Sequence, residues 1–134
     1  MLYADAGSGL LVPDPASTRF VLTVFDAPMP KGEGFSACLS PFRRPNPETA
    51  PTEAKAPCHY PNSSRAIIDA HDRGFQNPVM CDSMGHVAEF ATANIWIVKD
   101  SIAITPTPNG TFLNGITRQR LMTLMRDDGI EVQE

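Results

Sequence analysis

Proline is the feature that most constrains this chain. Ten of its 13 prolines lie before Asn62. Each one removes a backbone donor and locks one backbone dihedral, so helix is excluded wherever they cluster. The first half is therefore predicted to be strand and loop with little helix. Within it, residues 20–25 (FVLTVF) are β-branched and aromatic and read as a strand. Residues 35–40 read as a second strand. Residues 42–51 hold three prolines and two arginines and read as an extended loop.

The second half is more regular. Asn62 is placed to cap a helix running to about residue 73, with Gly74 as its stop. Ala66, Ile67 and Ala70 give that helix an apolar stripe. A short strand at 79–81, a turn at 82–85 and a return strand from His86 follow. Residues 94–98 and 102–104 are predicted to pair as a hairpin around Lys99, Asp100 and Ser101. A second helix is expected from about Gly115 to Asp128, with Ile116, Leu121, Leu124 and Met125 apolar and Gly129 at its end. Residues 130–132 look like a strand just beginning, with no partner visible in the sequence. The chain is therefore expected to be a fragment of something larger.

Length and composition set the outer bounds. A chain of 134 residues with 42% hydrophobic and 19% charged residues is one globular domain by size. A net charge of −4, without a basic run, argues against a nucleic-acid partner. There is no apolar run of about 18 residues to span a membrane, and the N-terminus has no signal-peptide pattern. The odd cysteine count (Cys38, Cys58, Cys81) implies reduced thiols and a cytoplasmic protein. His59, His71 and His86 lack metal-ligand spacing, so no metal site is expected.

Three places could carry chemistry. Lys55 lies in a stretch of small and apolar residues (PTEAKAPCHY). If buried, its amine would have the lowered pKa that a Schiff-base lysine needs, although lysines in general are solvated surface residues. Glu89 ends a short predicted strand among small and apolar neighbours. A buried carboxylate there would need a cation such as a pyridinium, or else an arginine at the rim. Gly115 opens a predicted helix with Thr117 in its first turn. Free N–H groups and a hydroxyl at a helix start suit a phosphate; a capped helix without a ligand is the alternative.

Taken together, the order and spacing are specific. Pro51-Thr52-x-x-Lys55-x-x-x-x-Tyr60 is followed by Asp82-x-x-Gly85-x-Val87-x-Glu89-x-x-x-x-Asn94-Ile95-Trp96. Then come Thr105-Pro106 and Leu113-x-Gly115-Ile116-Thr117-Arg118. This series resembles the fold-type IV pyridoxal 5′-phosphate (PLP) enzymes: branched-chain aminotransferases, D-amino-acid aminotransferases and aminodeoxychorismate lyases. It covers nearly the whole chain, most strongly from Pro51 on.

The resemblance implies an α+β fold, the core of the large domain of D-amino-acid aminotransferase-like enzymes, over residues 1–134. The family's small N-terminal domain and its later phosphate loop would lie outside this chain, and the segment by itself is expected to lack turnover. It implies that Lys55 holds PLP as a Schiff base and shuttles protons. Tyr60 would hydrogen-bond the phenolic oxygen, and Glu89 would pair with the pyridinium nitrogen. Leu113 would pack on the ring, and Gly115, Ile116 and Thr117 would bind the phosphate. The implied reaction is transamination between a branched-chain amino acid and 2-oxoglutarate in a homodimer or higher homo-oligomer. A PLP lyase, a D-amino-acid aminotransferase and a non-catalytic fragment remain alternatives. The chain departs from the family at Pro57-Cys58-His59, where a glycine and an asparagine usually precede the tyrosine. It departs again at Phe90, where glycine is common, and at Ala93, where glutamate is common.

Overall fold

The computed structural model describes residues 2–7, 12–29 and 32–134. Two compact units divide the chain at Glu33 and Gly34. In the first, β1 (Leu2–Ala4) pairs antiparallel with β2 (Thr18–Phe20). The strand expected over residues 20–25 stops at Phe20, and residues 21–25 form no regular structure. Phe20, Leu22, Val24 and Phe25 are exposed there, so no buried face rewards continued pairing.

The second unit, residues 34–134, holds two crossover motifs of strand, helix and parallel strand. In the first, β3 (Ala37–Arg43) leads through α1 (Tyr60–Asp72) to β4 (Asn77–Cys81), which runs parallel to β3. The antiparallel β5 (Val87–Phe90) completes a sheet of order β3-β4-β5. In the second, β6 (Ile97–Lys99) and β7 (Ile102–Ile104) form the expected hairpin. The chain then passes through α2 (Ile116–Asp127) to β8 (Val132–Gln133), parallel to β7. The C-terminal strand thus has a partner after all. The sequence hid it because a parallel partner is set by the crossover, not by adjacency.

The helices follow the predicted spans with instructive shifts. α1 begins at Tyr60, and His59 is its N-cap. Asn62 does not cap it; its side-chain amide donates to the Arg43 carbonyl at 2.6 Å instead. Ala66 and Ala70 are fully buried where α1 lies across β3 and β4, because methyl-sized side chains let a helix approach a sheet closely. Gly74 ends α1 at φ 80°, a conformation that glycine tolerates without cost. In α2 the buried residues are Arg118 and Met122, while Ile116 is exposed. Ile116, one of the four apolar residues read into that helix, therefore faces outward, and a cation lies buried two positions on. The loop expected over 42–51 starts two residues late because β3 runs on to Arg43. Among the described residues no helix is long and apolar enough to cross a membrane.

The β6–β7 turn places Asp100 and Ser101 at φ 51° and 64°, left-handed conformations that side chains disfavour. Ser101→Gly is expected to stabilise the protein by about 0.5–1 kcal/mol. The check is a urea-unfolding midpoint that moves upward with an unchanged slope.

Candidate functional site

The two crossovers place two loops at the carboxyl ends of parallel strands, the usual location of sites in such sheets. Residues 44–59 link β3 to α1 and carry Lys55. Residues 105–115 link β7 to α2 and carry Leu113 and Gly115.

The Lys55 loop is folded onto its own backbone. The Pro51 carbonyl accepts from the Ala54 N–H and from His59 Nε2, both at 3.0 Å. A carbonyl can only accept, so the His59 ring carries its proton on Nε2. Thr52 and His59 are buried on either side, and Lys55 between them is exposed. The expectation of a buried lysine is thereby corrected: the small and apolar stretch buries its flanking anchors and presents the amine. Tyr60, the first residue of α1, is also half exposed.

Glu89 lies within β5 and is buried. Arg44, equally buried, meets it with Nη2 at 3.2 Å from Oε1. The same guanidinium donates from Nε to the Thr111 carbonyl at 3.1 Å and from Nη1 to Ser63 Oγ at 3.3 Å. The other carboxylate oxygen, Oε2, accepts from Asn94 Nδ2 at 3.2 Å. Burial pushes the Glu89 carboxyl up to about 7, against the pull of the Arg44 and Lys55 charges. The charge of the exposed Lys55 side chain thus acts on the buried carboxylate.

Arg44 escaped the sequence reading. The signal was the Arg43-Arg44 doublet closing a strand: Arg43 is exposed and Arg44 is buried, and a buried carboxylate calls for such a cation. The rim arginine weighed as an alternative partner for Glu89 is therefore present, but it sits inside.

α2 has Gly115 as its N-cap, with no side-chain cap. Its first N–H groups have no partner within the helix and so are available to an anion, with Ile116 and Thr117 both exposed. A Cβ at Gly115 would overlap the Asn94 side-chain oxygen. Leu113, two residues earlier, is half-buried. Arg118 braces this loop from inside through Thr105 Oγ1, Asn114 Oδ1, the Pro106 carbonyl and Glu134.

Asp82 closes the β4–β5 turn. Burial pushes its carboxyl up, but hydrogen bonds from the His86 and Met84 backbones and from the His86 ring outweigh this and hold it below its ordinary value. Phe90 packs edge-on against Phe35 with ring centroids 5.2 Å apart, which accounts for an aromatic residue at that position. A separate cavity of about 590 Å³ lies between β4–β5 and β6–β7, lined by Val79, Val87, Trp96 and Ile104 among others. Lys55, Tyr60 and Glu89 do not line it, so it is distinct from the candidate site. Among the described residues no group of three or more His, Cys, Asp or Glu side chains could hold a metal ion.

Comparison with known proteins identifies the family of the chain. The sequence profile of the family described as amino-transferase class IV matches residues 1–134. The branched-chain-amino-acid aminotransferase of Escherichia coli strain K12 is 33% identical over 139 aligned positions, covering all of this chain and 45% of that protein. The crystal structure of an aminotransferase from Brucella abortus bound to the co-factor PLP is 43% identical. It superposes with a TM-score of 0.96 over 99% of this chain and 48% of that one. The PLP form of the branched-chain amino acid aminotransferase from Thermobaculum terrenum is 32% identical, with a TM-score of 0.72 over 75% of this chain and 33% of that one. The chain spans less than half the length of these relatives.

Glu89 binds its proton more tightly in the folded state than at its ordinary value of 4.5. The penalty for burying its charge is therefore absent at low pH, and stability falls as pH rises from about 4.5 through about 7. At about 1.4 kcal/mol per pH unit, the loss reaches up to about 3 kcal/mol. Glu89→Gln should remove that slope, which urea unfolding of both proteins between pH 4.5 and 8 would reveal; parallel curves would contradict it.

Proposed function

The chain belongs to the class IV aminotransferase family, and we propose that it carries the lysine-bearing part of a PLP site serving the transamination of branched-chain amino acids with 2-oxoglutarate. The observation that carries this reading is the buried Glu89 carboxylate, held by Arg44 and Asn94 and within electrostatic reach of the exposed Lys55 amine. The residues fit the cofactor on three counts. They offer an accessible amine, a water-excluded carboxylate for a pyridinium, and a helix start with no side-chain cap, whose N–H groups suit a phosphate. The relatives are named as branched-chain amino acid aminotransferases, which supports the same substrate class.

When bound, PLP supplies an electron sink for charge developing at the substrate Cα. Lys55 would hold the cofactor through Nζ and would serve as the base that takes the substrate Cα proton. The Tyr60 hydroxyl would donate to the phenolic oxygen. Glu89 would hold the ring nitrogen's proton. Leu113 would pack on the ring, and the Gly115, Ile116 and Thr117 N–H groups would hold the phosphate. The amino-acid and 2-oxo-acid substrates, a cytoplasmic location and a homodimeric or larger assembly belong to the same proposal. The described cysteines are all free, which suits a reducing compartment.

Incubation with PLP, borohydride reduction and peptide mapping test the assignment. A pyridoxyl adduct is expected on Lys55 and is absent from Lys55→Ala. An adduct on Lys99 with Lys55 unmodified would overturn it. In the enzyme that contains this segment, Glu89→Gln is expected to lower kcat by two or more orders of magnitude, about 3 kcal/mol or more on the barrier. PLP retention should change far less. Unchanged turnover would remove Glu89 from the mechanism.

A further inference from the structure

Asn94 lies between β5 and β6, brought back onto Glu89 by a tight turn in which the Phe90 N–H donates to the Ala93 carbonyl at 2.8 Å. One amide nitrogen, Nδ2, serves two acceptors. It donates to Glu89 Oε2 at 3.2 Å and to the Leu113 carbonyl at 2.9 Å. The other end of the same amide lies against Gly115, so closely that a Cβ there would displace it. A single half-buried side chain therefore touches the carboxylate, the residue before the α2 loop turns, and the helix N-cap.

We infer that Asn94 is a positioning residue that couples the Glu89 carboxylate to the open N-terminus of α2 and sets the spacing between them. The inference deepens the cofactor reading and rests on it for its purpose. A rigid ligand with a cationic nitrogen at one end and a phosphate at the other gains from both ends only if their separation is held. Arg44 and Lys55 supply charge to Glu89, but neither is hydrogen-bonded to the α2 loop beyond Thr111. Asn94 is the link that reaches Leu113 and Gly115. Its two contacts are geometric constraints: lengthening either one moves the carboxylate relative to the helix start.

The test needs no bound cofactor. In the ¹³C/¹⁵N-labelled chain, the Glu89 carboxyl and the backbone amides of residues 113–117 are followed by NMR across the titration of Glu89 near pH 7. In the wild-type protein those amides are expected to inflect at the Glu89 midpoint, and in Asn94→Ala the inflection disappears. Gly115→Ala displaces the same amide and should give the same loss if Asn94→Ala does not fold. Amides that keep the Glu89 midpoint in a folded variant, or that never show it in the wild type, would overturn the coupling.

A second readout separates positioning from general weakening. Where Asn94 sets the spacing, the preference for PLP over pyridoxal falls about tenfold in the variant, the scale of one hydrogen bond to a charged group. Equal weakening of both ligands would mark Asn94 as merely structural and overturn the inference. If PLP fails to bind wild type while the amides still follow Glu89, the cofactor reading falls and the coupling stands.

Discussion

Glu89 and Arg44 face each other almost out of reach of water, and the rest of the candidate site is arranged around that pair. Taking two ions out of solvent costs several kcal/mol each, which is recovered only when every donor and acceptor is well matched. Arg44 meets that condition by bonding three parts of the unit at once: β5 through Glu89, α1 through Ser63, and the β7–α2 connection through Thr111. The pair therefore registers the two crossover motifs against each other. Even so, the match is incomplete. A carboxyl whose proton affinity stays near neutrality has more burial than its cations offset, and it would gain from one more positive charge. A protonated ring nitrogen is such a charge.

The division of labour around this pair follows from exposure. Buried groups set geometry: Thr52 and His59 fix the ends of the Lys55 loop, and Arg118 fixes the loop that leads into α2. The groups left exposed are the Lys55 amine, the Tyr60 ring and the first turn of α2. In the proposed role Lys55 has to move between partners, and an accessible amine between held neighbours suits that role better than a buried one.

Much of this was legible in the sequence, and the exceptions have physical causes. Turn and stop residues were reliable: Gly74 ends α1, Asp82 and Gly85 shape the β4–β5 turn, and the β6–β7 hairpin closes at Asp100-Ser101. These signals are local, carried by backbone conformations that few residue types accept. Tertiary choices were not legible. Residues 20–25 have strong strand character but no apolar face to bury against, and Ile116 gives way to Arg118 because a network of four acceptors satisfies the cation inside. Lys55, Glu89, Asn94 and Gly115 were visible as motif residues, whereas Arg44, and the partners through which Asn94 acts, depend on contacts as far as 67 and 19 positions away. No local pattern encodes such partners.

The central claim is that Glu89 provides the negative charge against which a pyridine nitrogen keeps its proton. The most direct measurement is the ¹⁵N chemical shift of PLP labelled at the ring nitrogen and bound to the protein at pH 8. The account predicts the shift of a protonated pyridinium in the wild type and of a neutral pyridine in Glu89→Gln. A neutral ring nitrogen in the wild-type complex would contradict it.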